Sequence, residues 1–504
     1  MKRLFALWCC LLLVISCIGG AGAETKDVPV SWYEVFVRSY ADSNGDGLGD
    51  LNGLRAKLPY IHDMGWRGLW LMPIMPSPSY HKYDVTDYRD IDPEYGTMED
   101  FRALVSEAHA LDIRVIVDLP VNHTAVAHPW FKEACDALRQ RSADSEKTGW
   151  YCFSQTPGSK HVPVEGTDWY YEEQFAGGGM PDLNLDSESL RAEIRDILAF
   201  WLTDVGVDGF RLDAVTSYYT GHNDQNIAFL AWLKESCEAI KPGSFLVGEC
   251  WTGLNTIVEY YDSGVDCFFL FPASQAEGWV CKALLARSKP AERFAASLQS
   301  LYEALPDALY APFLCNHDTG RTVPALQART LPDRVKLAHA LVSVIGGAAF
   351  TYYGDEIGMV GAGEDPNKRL AMYWSDEEMT EQPPGVTKIE YAYPSVAEQE
   401  ADEASLLHYI KRLNQMKLAW PEAFMGRAEI RSAFGNVLAL ARETADGPCL
   451  IVANLSLKQT EVFEINQKQT IFCDLETGAN TALLEDDGRL TLPPGAVVLL
   501  RSGD

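Results

Sequence analysis

The sequence predicts an α/β fold: a (β/α)8 barrel with an inserted small domain after the third strand and a C-terminal antiparallel β domain. Over residues 29–418, short apolar runs typical of strands alternate with amphipathic helical segments. Residues 124–185 interrupt that alternation, and residues 419–504 contain strand-like runs without helices. Eight predicted strands favour a closed barrel over the runner-up, a doubly wound open sheet.

The N-terminus predicts export. Two basic residues precede the apolar run Leu4–Ile15, which is too short for a stable membrane-spanning helix. Two processing sites remain open. Cleavage after Ala21–Ala23 would make residues 1–23 a signal peptide, whereas Val14–Cys17 resembles a bacterial lipobox that would lipidate Cys17 and anchor the protein to a membrane. Both predict an extracytoplasmic protein without a transmembrane helix.

The barrel is predicted to occupy residues 29–123 and 186–418. Its candidate strands are Val30–Val37, Gly68–Met72, Arg114–Leu119, Asp208–Leu212, Phe245–Gly248, Asp266–Phe271, Ala311–Leu314 and Ala348–Tyr353. Helical segments with apolar residues three and four apart are Met98–Leu111, Glu188–Thr203, Asn226–Ile240, Asp333–Val344 and Ser405–Met416.

Two regions depart from the alternation of strand and helix. Residues 124–185 show no helix of useful length, and a structureless loop of that size is improbable in a compact domain, so we predict an inserted domain B. After residue 418 the alternating runs predict a separate antiparallel domain. Its predicted strands are Val437–Ala441, Leu450–Asn454, Glu461–Ile465, Leu490–Leu492 and Val497–Leu500.

Composition limits the partners. The 504 residues include 42 Lys and Arg against 71 Asp and Glu, a net charge of −29. This balance argues against a nucleic-acid binder or a protein that docks on anionic lipid, and it favours a neutral or cationic ligand. We expect a monomer that binds a small or polymeric ligand and no nucleic acid.

The cysteines leave two interpretations open. None of the 12 forms a CxxC pair, which argues against a zinc site. Export permits disulfides, and the pairs close enough in sequence are Cys135–Cys152, Cys267–Cys281 and Cys449–Cys473. Buried free thiols explain the same residues equally well.

Polar residues follow several predicted strands. Asp118 to His123 ends the third strand, Arg211 and Asp213 end the fourth, Glu249 ends the fifth, and the seventh ends in Asn316 to Asp318. Because the carboxyl ends of barrel strands meet at one face, Asp213, Glu249 and Asp318 should converge on one pocket.

These stretches resemble a known family. DLPVNH, GFRLDAV, FLVGECW and FLCNHD are similar, in order, to the four short motifs of the α-amylase family of glycoside hydrolases. MPDLN at Met180–Asn184, together with the stretches Gly68–Tyr88 and Phe350–Gly358, also matches that family. MPDLN is typical of the group intermediate between oligo-1,6-glucosidases and neopullulanases.

The resemblance implies a retaining mechanism. Asp213 would be the nucleophile, Glu249 the general acid/base and Asp318 a stabiliser that binds sugar hydroxyls. Retention places the nucleophile and acid carboxyls about 5–5.5 Å apart, and crowding by two carboxylates should raise the pKa of Glu249. The substrate-binding residues that the resemblance implies are Tyr83, Asp84, His123, Arg211, His317 and Arg321.

The sequence departs from the family after the nucleophile. Where many α-amylases have Lys-His, this chain has Thr216 and Ser217. In the family, that lysine contacts sugar on the leaving-group side, and the histidine supports a calcium ion between barrel and inserted domain. We therefore expect altered leaving-side binding, and the second calcium site is not implied.

A different calcium site is predicted near strand 1. Asp42, Asn44, Asp46 and Asp50 supply oxygens at positions 1, 3, 5 and 9 of a loop, and Leu48 supplies a backbone carbonyl at position 7. An EF-hand is excluded because Gly53 stands where its bidentate glutamate would be. The loop resembles the strand-1 calcium loop of the oligo-1,6-glucosidase branch, and the alternative is a solvated acidic turn. We expect a structural Ca²⁺.

The predicted function is an exported retaining α-amylase that cleaves α-1,4-glucosidic bonds in starch-like glucans and maltooligosaccharides. The alternatives in the same class are an exo-acting α-glucosidase or oligo-1,6-glucosidase, and a glucanotransferase. A non-catalytic sugar-binding relative is disfavoured because Arg211, Asp213, Glu249 and Asp318 are all present.

Overall fold

The structure is a computed structural model that describes residues 28–141, 145–175, 177–445, 447–465, 469–474 and 488–502. The predicted signal peptide, with both candidate processing sites, lies outside these residues. Within them, no helix is long and apolar enough to cross a membrane.

A parallel sheet of seven strands forms the barrel. These strands are β1 (Ser31–Val35), β2 (Gly68–Leu71), β3 (Arg114–Leu119), β7 (Gly209–Leu212), β8 (Phe245–Gly248), β9 (Cys267–Phe268) and β10 (Ala349–Tyr352). They pair in the order β10-β1-β2-β3-β7-β8-β9, every pair parallel. The predicted (β/α)8 fold is thereby confirmed.

The predicted seventh strand is reduced to two isolated parallel bridges. Phe269 bridges to Ala311, and Phe313 bridges to Phe350, so this segment closes the ring between β9 and β10. Pro312 lies between the two bridging residues and has no N–H to give to a ladder. This explains why a strand predicted over Ala311–Leu314 makes only two bridges.

Large aromatic side chains fill the barrel interior. The Trp32 ring stacks on Phe245 and Phe350, with centroids 4.8 and 5.5 Å away. Gly68 on β2 makes room for it, because a Cβ at that position would lie 2.1 Å from the Trp32 ring. A packed interior of this kind leaves the strand ends as the place for a binding site.

Helices surround the sheet. Their bounds are α1 (Leu51–Ala56), α2 (Leu58–Asp63), α3 (Met98–Ala110), α4 (Pro129–Arg139), α5 (Glu188–Ala199), α6 (Asn223–Ile240), α7 (Leu254–Tyr260), α8 (Trp279–Leu284), α9 (Pro290–Ala304), α10 (Thr322–Ala325), α11 (Pro332–Ile345), α12 (Val396–Glu400) and α13 (Leu406–Ala419). α5 continues as a π-helix over Phe200–Val205 and ends at Gly206, which has a φ of 96°. That left-handed conformation favours glycine.

The prediction that residues 124–185 lack a useful helix is wrong. α4 has 11 residues, begins with Pro129 at its first turn, and buries Phe131 and Ala134. Phe131, Ala134, Cys135 and Leu138 are spaced three and four residues apart and lie on its buried side, so the helical periodicity is present in the sequence and the prediction overlooked it. The same region contains a three-stranded antiparallel sheet of β4 (Phe153–Ser154), β5 (His161–Pro163) and β6 (Tyr170–Glu172).

An antiparallel β domain follows the barrel, as predicted. Its strands are β11 (Glu429–Phe434), β12 (Val437–Thr444), β13 (Gly447–Asn454), β14 (Glu461–Glu464), β15 (Gln469–Asp474), β16 (Arg489–Leu492) and β17 (Val497–Ser502). One sheet has the order β11-β12-β13-β17-β15, and β14 pairs with β16. β11 and β15 were not predicted; β11 is an edge strand with no fully buried residue, so it lacks the apolar run that identified the others.

None of the three candidate disulfides is formed among the described residues, and the side chain of Cys473 lies outside them. Cys135, Cys152, Cys267, Cys281 and Cys449 are all free thiols. Four of these five are buried, which agrees with the alternative interpretation that the thiols fill the core.

Candidate active site

A cavity of about 540 Å³ opens at the carboxyl ends of the barrel strands. Five of the predicted site residues line it: Tyr83, His123, Asp213, Glu249 and Asp318. His81, Phe175, Met180, Ala214, Thr216, Ser217, Trp251, Asp365, Lys368 and Arg369 complete the wall. The strands therefore bring together carboxylates that lie far apart in sequence.

One buried arginine, Arg211, contacts the carboxylates of the site. It is fully buried on β7, and its Nη1 donates to Asp118 Oδ1 at 2.8 Å and to Asp213 Oδ1 at 2.7 Å. Its Nη2 lies 3.0 Å from Glu249 Oε2. Asp213 and Glu249 thus bind the same guanidinium, whose two nitrogens hold them side by side.

Glu249 has the environment of a general acid. Burial raises its pKa to about 7, the charges of Asp213 and Asp318 add to that shift, and Arg211 opposes it. Burial thus contributes more than the crowding predicted from sequence. The backbone N–H of Ala214 donates to Glu249 Oε2 at 2.8 Å. Ala214 has a left-handed φ of 44°, which turns the chain directly after Asp213.

Asp318 is held in its ionised form. Burial alone would raise its pKa, but His317, 3.0 Å from its Oδ2, and Arg369, 2.8 Å from its Oδ1, lower the pKa well below the usual range. His317 Nδ1 lies 2.6 Å from Glu34 Oε1 on β1. Although burial opposes it, Asp318 and Glu34 raise the pKa of His317 to about 9, so the imidazole is a cation near neutral pH.

The remaining predicted sugar contacts surround Tyr83. Its hydroxyl donates to Asp118 Oδ2 at 3.0 Å, and its ring stacks on His317 at a centroid distance of 5.5 Å. His123 Nε2 lies 3.3 Å from the Tyr83 carbonyl. Asp84 is buried just behind the wall, where it accepts hydrogen bonds from the hydroxyls of Ser77 and Ser79.

Arg321 departs from the prediction that it binds substrate. It is fully buried outside the cavity, where Nη1 donates to the Tyr353 carbonyl at 2.6 Å and Nε donates to the Lys368 carbonyl at 3.2 Å. Its guanidinium also packs on the ring of Tyr352. Arg321 therefore supports the segment that carries Lys368 instead of reaching the cavity.

Several cavity residues were missed from sequence. Trp251 follows Glu249 in the FLVGECW motif, so an aromatic beside the acid was visible there but was not singled out. Lys368 and Arg369 had no such signal, because they lie at the end of a short 3-10 helix, Asp365–Lys368, outside the motifs that follow the predicted strands. Lys368 Nζ donates to the Asp318 carbonyl at 2.8 Å, and Arg369 Nη1 donates to the Tyr80 hydroxyl at 3.1 Å.

The predicted calcium loop is folded around its own carboxylates. Asp42 accepts hydrogen bonds from the amides of Asn44, Gly45 and Gly47, and the Leu48 amide donates to Asp46 Oδ1 at 2.8 Å. Partial burial raises the pKa of Asp42, but these amides outweigh it and the net shift is downward.

Asp50 differs from the predicted ligand set. Its carboxylate accepts hydrogen bonds from Ser43 and from the Gly53 amide, 2.7 Å away, and so caps α1. Across the described ranges, no three His, Cys, Asp or Glu side chains are close enough together to hold a metal ion. Asp42, Asn44, Asp46 and the Leu48 carbonyl remain the hard oxygen donors that suit Ca²⁺.

Comparison with known proteins agrees with the motifs. The model of the α-amylase catalytic domain matches residues 34–422. The chain is 36% identical over 458 residues to "Alpha-amylase 3" of Dictyoglomus thermophilum, covering 88% of each chain. It is 32% identical over 513 residues to "Trehalose synthase" of Thermus thermophilus, covering 86% of this chain and 50% of that protein.

A solved structure shares the whole architecture. "Eubacterium rectale Amy13B" superposes with a TM-score of 0.89 at 38% identity, covering 95% of this chain and 96% of that one. The strand-end carboxylates, the buried arginine between them and the matches along most of the chain lead to one conclusion. This protein belongs to the α-amylase family of glycosidases and transglycosylases.

Proposed function

We propose that this protein is an exported, retaining α-amylase that cleaves internal α-1,4-glucosidic bonds of starch-like glucans and maltooligosaccharides. The observation that carries the proposal is the pair of Asp213 and Glu249 on one buried guanidinium. Asp213 is a carboxylate ion-paired to Arg211, and Glu249 is a carboxylic acid whose pKa burial raises to about 7. Retaining glycosidases need these two groups.

The chemistry follows from this pair. Glu249 gives its proton to the glycosidic oxygen while Asp213 attacks the anomeric carbon, so the bond to the leaving sugar breaks and a glycosyl ester forms on Asp213. Glu249, now ionised, takes a proton from water, whose oxygen attacks the same carbon and frees Asp213. Asp318, Tyr83 and His123 line the same cavity and supply hydroxyl contacts and an apolar ring face.

Three features support α-1,4 cleavage within chains. Trp251 is 48% exposed beside Glu249, where it offers a ring face to the leaving part of a glucan. Thr216 and Ser217 line the cavity without a cation, so affinity there should rest on such stacking. MPDLN at Met180–Asn184 also resembles the family group whose members include amylases.

An exo-acting glucosidase is the second candidate, and one observation favours it. Arg369 binds both Asp318 and Tyr80, while Lys368 binds the Asp318 carbonyl and Asp365, so charged side chains line the cavity wall around Asp318. A wall of this kind could stop a glucan after its first glucose unit.

Product sizing separates the two candidates. From soluble starch we expect a mixture of short maltooligosaccharides, with isomaltose left intact, and a maltoheptaoside blocked at its non-reducing end should still be cleaved. Short maltooligosaccharides should be poorer substrates than long ones. Glucose as the sole early product, no cleavage of the blocked substrate, or efficient cleavage of isomaltose would establish the exo-glucosidase instead.

Two variants test the assigned roles. Asp213→Asn should abolish hydrolysis with the fold intact, because an amide cannot form the glycosyl ester. Glu249→Gln should lose about 10²–10⁴-fold or more on starch and far less on substrates whose leaving group needs no proton. Asp307→Asn, an exposed acid, is the control for the loss of charge. Unchanged starch hydrolysis by either active-site variant would contradict the mechanism.

Two parts of the proposal, the structural calcium ion and export, rest on the sequence. A structural Ca²⁺ would bind Asp42, Asn44, Asp46 and the Leu48 carbonyl, and Asp50 would hold the adjoining turn. Export would follow from the N-terminal apolar run, and mass spectrometry of the exported chain would distinguish a start at Glu24 from a lipidated Cys17.

A further inference from the structure

Lys82 has an unusual backbone conformation beside the active site. Its two neighbours in sequence, His81 and Tyr83, line the active-site cavity, whereas Lys82 lines a separate cavity. The φ of Lys82 is 67°, in the left-handed region that residues with a side chain rarely adopt. Such a conformation persists only where the surrounding contacts enforce it. The contacts of the Lys82 side chain are of the kind that can do so.

A buried ion pair holds the Lys82 side chain. The side chain is 3% exposed, and its Nζ lies 2.9 Å from Asp92 Oδ2 and donates to Glu94 Oε2 at 2.7 Å. Asp92 is equally buried, and its Oδ2 also accepts a hydrogen bond from the Ser77 amide at 3.0 Å. Asp92 thus connects Lys82 with the residue five positions before it, and these contacts close the intervening chain into a loop. We call Lys82, Asp92 and Glu94 the Lys82 cluster.

We propose that Lys82 is a positioning residue of the active site. The ion pairs of the Lys82 cluster hold the left-handed turn, and this turn places His81 and Tyr83 in the cavity wall. The proposal rests on the proposed function, since it concerns how residues that contact the sugar are held in place. Lys82 acts through its neighbours and not on the substrate.

Tyr83 connects the turn to the chemistry of the site. Its hydroxyl donates to Asp118 Oδ2 and lies 2.7 Å from His317 Nε2. His317 in turn contacts Asp318, one of the three carboxylates that converge on the cavity. The backbone carbonyl of Tyr83 lies 3.3 Å from His123 Nε2. A shift of the Tyr83 backbone would therefore change the contacts of two histidines at the site.

The other hydrogen bonds of the turn are more accessible to water. His81 Nδ1 accepts a hydrogen bond from the Tyr83 amide at 3.2 Å and lies 3.1 Å from the Ser79 hydroxyl oxygen. The Lys82 amide donates to the same oxygen at 3.2 Å. His81 and Ser79 are half-buried, so water can compete for these bonds, whereas Lys82 and Asp92 are buried. The buried ion pair is therefore the contact that water cannot replace.

A purely structural role of the ion pair is the alternative. Removing one member of a buried pair leaves the other charge uncompensated, so Lys82→Met should melt at a lower temperature under either interpretation. Removing both charges, in Lys82→Met/Asp92→Asn, should recover much of the melting temperature. Under the proposal this double variant stays impaired in catalysis, because no ion pair holds the turn. The double variant thus separates stability from positioning.

The test is kcat and KM on maltoheptaose, measured well below the melting transition. Lys82→Met and the double variant should both lose about 10–10²-fold in kcat/KM, mainly in kcat, because Tyr83 contacts groups around the reacting carboxylates. Lys289→Met is the matched control, since Lys289 has a similar φ of 58° but a side chain that is 71% exposed, and it should change neither constant. A double variant whose kcat recovers together with its melting temperature would overturn the proposal.

A glycine variant covers the case in which the methionine variants fail to fold. Glycine adopts a left-handed φ without strain, so Lys82→Gly removes the ion pair but not the permitted turn, and it should still lose kcat, whereas Lys289→Gly should not. Wild-type kcat in Lys82→Gly would overturn the proposal and leave the α-amylase assignment standing. If wild-type protein cleaves no maltoheptaose, the proposed function fails. The same comparison on nitrophenyl α-glucoside then decides the role of Lys82 separately, and equal kcat values would overturn it.

Discussion

Paired charges dominate the site at the scale of single residues. Arg211 is fully buried, yet it contacts Asp118, Asp213 and Glu249, and removing one partner from such a group leaves a buried charge uncompensated. His317 is equally buried between Glu34 and Asp318. Glu34 touches no part of the cavity wall, so it acts on Asp318 through the imidazolium and is a positioning residue.

Glu34→Gln should change the pH profile of hydrolysis. The pKa of His317 is raised to about 9, above that of Glu249 at about 7, so in wild type one proton from Glu249 should set the alkaline limb of kcat/KM. Without the Glu34 charge the pKa of His317 falls, while Asp318 still raises it and burial still opposes it. The imidazolium is then lost at lower pH.

The measurement is the slope and midpoint of that limb. The variant should lose activity with a steeper, two-proton dependence and at a lower midpoint, while kcat/KM on the acid side changes less. Glu34→Asp, which keeps the charge, should restore much of the wild-type profile. A limb with wild-type slope and midpoint in the glutamine variant would show that Glu34 does not act through His317.

At the scale of elements, two aspartates order the loop between β1 and α1. Asp42 gathers the amides of Asn44, Gly45 and Gly47, and Asp50 caps α1 through Gly53. Asn44 and Asp46 are exposed, so the folded loop presents oxygens to solvent while its backbone is already ordered. A bound Ca²⁺ would offset the repulsion between these carboxylates.

Removal of Ca²⁺ should lower the melting temperature. An ion held at about 100 times its dissociation constant stabilises the folded chain by roughly 2.7 kcal/mol, and a chelator withdraws that contribution. Asp46→Ala should melt at the same temperature with and without chelator, whereas Asp307→Ala should keep the wild-type sensitivity. Wild-type melting that is indifferent to chelator would exclude the calcium loop.

At the scale of the whole molecule, one buried arginine connects the C-terminal domain to the barrel. Arg442 on β12 donates through Nη2 to the Val344 carbonyl at 2.9 Å, at the end of α11, and through Nη1 to the Ala423 carbonyl at 2.9 Å. It also donates to the carbonyls of Ile345 and Gly426. Val344 and Ile345 lie in the last turn of α11, and Ala423 and Gly426 lie in the segment before β11. Their carbonyls therefore have no hydrogen-bond partner within a helix of their own.

Arg442→Met should destabilise the protein while leaving the cavity unchanged. Methionine preserves much of the side-chain volume but leaves several buried carbonyls unpaired, at about 1–3 kcal/mol for each unsatisfied group. The midpoint of chemical unfolding should fall, with kcat/KM on maltooligosaccharides unaltered under native conditions. Arg431→Met, on the exposed edge strand β11, is the matched control. Equal midpoints for the two variants would show that this contact contributes little.

The sequence by itself determined the barrel and its carboxylates. Strand runs such as Arg114–Leu119 and Phe245–Gly248 were predicted at their observed bounds, because an apolar run between breaking residues is a local signal. The prediction that Asp213, Glu249 and Asp318 converge also needed only local patterns, since parallel strands of a barrel end at one face.

Only the tertiary structure decided what surrounds those carboxylates. Arg369 reaches Asp318 from the end of a short 3-10 helix, Arg321 turns away from the cavity into the core, and Trp279 lines a second cavity together with Trp251. Each of these depends on contacts between segments distant in sequence, and such contacts form only when the chain closes around its core, so no local periodicity encodes them.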